Sequence, residues 1–137
     1  MARLYGYNEI NPLSPIAILQ TAIEEEVVRT KDRVRTVLAG LGFSEIYSSS
    51  FVAKGEGNAF EIENPIASDK SFLRQELGNG SADNLKENSK FFEKIKVFEI
   101  VKVFNKKSQE ELHLSIAIRD KKREMFFQLK GVVEEVL

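Results

Sequence analysis

An α+β fold, with an antiparallel sheet flanked by helices, is what this sequence predicts. Three observations carry that expectation. Apolar strand-like runs follow one another with few helical stretches between them, the pattern of neighbouring antiparallel strands rather than of alternating strand and helix. One run, VFEIVKVF (97–104), offers β-branched and aromatic side chains to both faces, as a strand in the middle of a sheet must. Helical apolar spacing occurs near the start and again at the end of the chain.

Residues 1–20 hold Gly6, Asn8, Asn11, Pro12, Ser14 and Pro15, a density of turn formers that predicts an extended linker. At Thr21 the pattern changes. Thr21 to Glu24 has the form of a capping box, in which hydroxyl and carboxylate satisfy the first backbone donors of a helix. Ile23, Val27, Thr30, Val34, Val37 and Leu41 then recur at steps of four and three. Glutamates come first in this helix and basic residues later, the order the helix dipole favours, and Gly40 and Gly42 end it. From Ala22 to Leu41 it would extend about 30 Å. Such a seam suits packing on the chain's own sheet or on another chain, and the pattern alone leaves both open.

FSEIYSSSFV (43–52) alternates as a strand, and AFEIE (59–63) reads as a second, short one joined by a turn at Gly55 and Gly57. SDKSFLRQEL (68–77) is compatible with strand or helix. GNGSADNLKENSKFF (78–92) reads as a polar turn entering a short helix. Strands at 95–104 and 112–118 follow, divided by a charged turn. In MFFQLKGVVEEVL (125–137), Phe126, Leu129, Val133, Val136 and Leu137 share helical spacing.

With 137 residues the chain is long enough for one domain that buries roughly two thirds of its unfolded surface. Twenty basic residues against 21 acidic ones give a net charge of −1, so any nucleic-acid contact has to be local. The candidate patch is Lys102, Lys106, Lys107, Arg119, Lys121, Lys122 and Arg123, although charged turns are more often simply solvated. The absence of cysteine excludes disulfides, thiolate metal sites and a cysteine nucleophile. No apolar run approaches a membrane span, and MARLYGY lacks the layout of a signal peptide, so the expected compartment is the cytoplasm.

Few residues promise chemistry. His113 is the only histidine and stands in a strand pattern without a second ligand nearby. The glycine pairs at 55/57 and 78/80 lack what a phosphate cradle needs, and Ser48 to Ser50 have no partner base at a recognisable spacing. Glu99 is the informative carboxylate. Alone inside an apolar strand, it requires a donor partner, and structural pairing is favoured over ligand binding.

Six segments in order resemble the bacterial phenylalanyl-tRNA synthetase beta subunit: ARLYGYNEI (2–10), LGFSEIYSSSFV (41–52), NPIASDKSFLRQEL (64–77), FEIVKVF (98–104), EELHLSIAI (110–118) and FFQLKGVVEEVL (126–137). The resemblance implies that residues 1–20 end a preceding module and that 21–137 belong to a catalytic-like module of class II synthetase type, cut short at its C-terminus. It implies a non-catalytic role in a phenylalanine-tRNA ligase, assembled with an alpha subunit into a heterotetramer. ATP, magnesium and tRNA would serve the whole enzyme, with no cofactor, metal or catalytic residue in this part. The long helix would then be a subunit-contact element, with Ile23, Val27, Val34, Val37 and Leu41 at the interface.

FEIVKVF resembles the first strand of the second class II motif, whose active versions continue into an arginine that grips the ATP α-phosphate. Here Asn105 follows Phe104, and an amide cannot supply the cationic fork of a guanidinium. The glycine-rich third motif is missing from the sequence. Departures from the family include Val101 in place of a glycine and a more polar GNGSADN segment. A module that continues beyond Leu137 would leave a strand edge uncovered, FEIVKVF or HLSIAI, and with it a tendency to self-associate. An RNA-binding or general protein-interaction module is the alternative reading.

Overall fold

The computed structural model describes residues 2–14, 16, 25–55, 59–104, 109–121 and 125–137. A helical turn, α1 (Ala2–Tyr5), and a 3-10 turn at Tyr7–Glu9 replace a fully extended start. The capping box at Thr21–Glu24 and the interface candidate Ile23 lie outside the described residues. Helix α2 is described from Glu26 to Gly40. The strands β1 (Ser44–Glu45), β2 (Phe51–Val52) and β3 (Phe72–Leu73) follow, then α3 (Gly78–Asn88), β4 (Lys94–Phe104), β5 (Glu110–Asp120) and α4 (Phe126–Val136).

The main sheet has the order β1-β4-β5, and it is mixed rather than antiparallel. β4 and β5 form an eleven-residue antiparallel ladder, whereas β1 runs parallel to β4, with Ser44 opposite Val97 and Glu45 opposite Phe98. Topology explains the departure. Between β1 and β4 the chain makes a long crossover through β2, β3 and α3, and a crossover returns the next strand in the same direction. The segment 43–52 is therefore two strands, not one, since β2 leaves to pair with β3 in a separate ribbon. AFEIE shrinks to a single bridge between Glu61 and Phe72. The ambiguous stretch at 68–77 divides between a 3-10 turn at Ser68–Lys70 and β3.

The core forms where α2 and α4 lie on one face of the sheet: Leu38, Phe43, Phe98, Ile100 and Val132, with Val34, Ile116, Ile118 and Val136 packed against it. Leu38, absent from the expected seam, is the α2 residue that reaches full burial. In α4, likewise, Val132 is buried while Val133 and Phe126 stay exposed. A Schellman motif closes α2: Phe43 N–H donates to Leu38 O at 3.0 Å and Gly42 N–H to Ala39 O at 2.9 Å. Gly42 takes φ +80°, and the motif sets Phe43 against Leu38 in the core. Capping thus fixes both the end of the helix and the entry to β1.

Candidate functional site

On the opposite face of the sheet, a buried ionic centre stands where β4 passes α3. Side chains alternate along a strand, so Phe98 and Ile100 turn towards α2 and α4 and Glu99 turns away from them. Glu99 is 0% exposed. Its Oε1 accepts from Arg74 Nη1 at 3.0 Å and from the Ser48 N–H at 2.9 Å, and its Oε2 accepts from Ser48 Oγ at 2.7 Å. Arg74 is 6% exposed, and its Nη1 also lies 3.1 Å from Ser48 O and 3.0 Å from Ser48 Oγ. Arg74 Nε is buried without a hydrogen-bond partner.

Backbone geometry delivers these groups. Arg74 N–H donates to Ser50 O at 2.9 Å, and Phe104 N–H donates to Arg74 O at 3.0 Å, so Arg74 ties the β2–β3 ribbon to the end of β4. Ser48 sits in the bend between β1 and β2, where its N–H leaves the sheet and satisfies Glu99 instead. The expected donor partner of Glu99 is therefore present. The serine run, unpromising as a nucleophile, supplies part of it. Sequence reasoning missed Arg74, because FLRQEL is a mixed polar segment in which a cation is not marked as buried.

Two clefts flank the centre and share Arg74 in their walls. One, of about 940 Å³, includes Ser48, Lys54, Lys70, Asn79 and Asp83. The other, of about 490 Å³, includes Arg35, Tyr47, Lys102 and Glu110. Arg35 Nε donates to Glu45 at 3.0 Å and Arg35 Nη1 to Asp32 at 3.1 Å, bonds that raise the guanidinium pKa further above its usual value. Arg35, Arg74 and Lys102, which line these clefts, are thus already engaged by carboxylates of the chain itself. Among the described residues no group of three or more histidines and acidic residues is placed to hold a metal.

The interface candidates separate by depth. Val34 packs against the core and Val37 is half-buried, whereas Val27 is 55% and Leu41 36% exposed. Val27, Val34 and Lys31 border an apolar groove of about 370 Å³ against Ile100, Leu112 and Leu114. Asn105, Lys106 and Lys107 lie outside the described residues, as do Lys122 and Arg123. Of the remaining basic candidates, Lys102 pairs with Glu110 near one end of the β4–β5 hairpin, while Arg119 and Lys121 stand at the other. Pairing along eleven residues keeps these charges apart, so they do not form one patch. His113 lies 3.3 Å from Glu111 on β5. No helix among the described residues is long and apolar enough to cross a membrane.

Residues 10–137 match the family model for the phenylalanyl tRNA synthetase beta chain CLM domain. Curated relatives include the phenylalanine--tRNA ligase beta subunit of Chromobacterium violaceum, 33% identical over 76% of this chain and 14% of the relative. The corresponding subunit of Syntrophus aciditrophicus is 27% identical over 99% of this chain and 20% of its own length. The chain thus spans about a seventh to a fifth of the length of these relatives. Among solved structures, a pyrrolysyl-tRNA synthetase from Desulfitobacterium hafniense superposes with a TM-score of 0.68 at 19% identity, covering 82% of this chain and 45% of that one. At that identity the likeness is one of fold.

Proposed function

The chain belongs to the phenylalanyl-tRNA synthetase beta chain family, and from that premise we propose that it is a non-catalytic structural portion of the beta subunit that supports assembly with an alpha subunit. The whole enzyme would charge tRNA with phenylalanine in the cytoplasm, using ATP and magnesium. In this reading residues 21–137 form a class II-type catalytic-like module that has kept its architecture and given up nucleotide chemistry.

The observation that carries the proposal is the exposure of Val27 and Leu41 on α2 while Val34 and Leu38 hold the core. Val27 and Leu41 lie on the same side of the helix as Val34 and Leu38 but where the chain's own sheet leaves them uncovered, and Val27 borders an apolar groove with Leu112 and Leu114, so this uncovered part of the face is suited to a second chain. The polar groups do not fit a nucleoside triphosphate. Asn105 stands where the resemblance calls for an arginine, and Arg74, the buried cation of the sheet face, is committed to Glu99 and Ser48.

Co-expression of the chain with a bacterial phenylalanine-tRNA ligase alpha subunit, followed by gel filtration and by pyrophosphate exchange on each fraction, tests the reading. Co-elution, with no exchange by the chain alone, is expected. Separate elution, or exchange by the isolated chain, would overturn it.

A further inference from the structure

We propose that α3 is a movable cover: it lifts off the sheet as a unit, ahead of global unfolding, and uncovers the Arg74–Glu99 centre. The sequence of the helix is the first ground. GNGSADNLKEN has Ala82 and Leu85 as its apolar side chains and opens with glycine at 78 and again at 80, residues that weaken a helix. Its N-cap, Leu77, makes no side-chain cap bond, and no acidic residue stands in the first turn. Ala82 is exposed, Leu85 is half-buried, and Ser81 is the buried residue of the helix. Helices α2 and α4, by contrast, send Leu38 and Val132 into the core. With neither intrinsic strength nor a broad apolar face, an eleven-residue helix persists through its docking contacts.

Those contacts converge on the ionic centre. Ser81 Oγ lies 2.7 Å from Ser115 Oγ, and Ser115 pairs directly with Glu99 across the β4–β5 ladder, so this hydrogen bond sits beside the Glu99 side chain. One residue earlier, Gly80 comes so near Ser48 that a Cβ built on it would stand 3.0 Å from Ser48 Oγ. That oxygen is held in place, because it donates to Glu99 Oε2 at 2.7 Å and accepts from Arg74 Nη1 at 3.0 Å. Asn79, Gly80, Asp83 and Glu87 line the cleft of about 940 Å³ together with Ser48 and Arg74. Movement of α3 away from the sheet therefore widens this cleft down to the centre. The grounds are the composition of α3 and contacts within the chain, and they are independent of the synthetase reading.

Native-state hydrogen exchange of the parent chain, followed by NMR at low urea concentrations, is the test. The amides of Leu85 to Asn88 are expected to exchange together through an opening about a hundredfold more frequent than the one that frees Phe98 and Ile100 in β4, and with a smaller dependence on urea. Gly80→Ala separates docking from helix strength. Alanine strengthens an isolated helix, yet here it meets Ser48, so α3 should open about tenfold more often; in a Ser48→Ala background the same substitution should no longer loosen it. The β4 amides in the same spectra show that each variant is folded. Ser81→Cys combined with Ser115→Cys supplies a lock in a chain that has no cysteine of its own: oxidation should slow α3 exchange to the level of β4, and reduction should release it. Exchange of α3 through global unfolding alone, a Gly80→Ala variant that slows α3 exchange, or a cysteine pair that fails to oxidise or leaves the exchange unchanged when oxidised would overturn the proposal.

Discussion

Glu99 and Arg74 are 25 residues apart in sequence and 3.0 Å apart in the fold, and both are almost wholly withdrawn from water. Their pairing fastens the middle of the main sheet to the β2–β3 ribbon. Ser48 completes the centre from a third segment, so one carboxylate holds three parts of the chain in register.

Removing one partner leaves the other buried without compensation. Glu99→Leu is expected to destabilise the chain by about 3–5 kcal/mol, whereas Glu99→Leu combined with Arg74→Met should recover most of the loss. Urea unfolding of the parent, both single variants and the double variant measures this, and the excess over additivity gives the coupling. Losses that simply add would show that the pair is not coupled.

The cap of α2 makes a separate prediction. Replacing Gly42 with alanine forces a side chain into the left-handed region and is expected to cost about 1 kcal/mol, read from the same unfolding curves. Gly40→Ala, inside the helix with no heavy atom within 4 Å of the new methyl, should instead be neutral or slightly stabilising.

Leu38→Ala should cost about 2–5 kcal/mol, because Leu38 is fully enclosed by Phe43, Phe98, Ile100 and Val132. Val27→Ala, at the uncovered end of the same face, should cost much less, because Val27 is already 55% exposed. The contrast separates what the helix does for its own fold from what it offers outward.

Nucleotide should leave the chain unmoved. Millimolar ATP with magnesium is expected not to raise the melting temperature, since a ligand near saturation must stabilise the state it binds. A shift of several degrees, abolished by Arg74→Met, would place a nucleotide beside the ionic centre and contradict the non-catalytic reading.

Much of this architecture was legible in the sequence. The unbroken apolar character of 97–104 located the central strand, and the isolation of Glu99 within it announced a buried donor. The parallel pairing of β1 was not legible, because two paired residues carry no periodicity and direction is set by a crossover of about fifty residues. The α2 seam was read one residue off near its end: from Val34 it took the step of three to Val37, whereas the step of four reaches Leu38, which the Schellman turn sets against Phe43. Arg74 was hidden for another reason. Nothing in FLRQEL states that its guanidinium turns inward, since that depends on a backbone hydrogen bond to Ser50 and on a carboxylate contributed by a different strand.

Of the interface candidates, Val34 serves the core, so a charge placed there would report on folding rather than on assembly. Val27 and the exposed Arg33 are the informative pair.

Titration calorimetry of an alpha subunit with the parent chain, Val27→Asp and Arg33→Ala tests the assembly role most directly. An unpaired carboxylate in a buried apolar contact is expected to weaken association about tenfold or more for Val27→Asp, with Arg33→Ala close to the parent and all three chains melting alike. Equal affinity of all three for the alpha subunit, or no binding by any of them, would contradict the account.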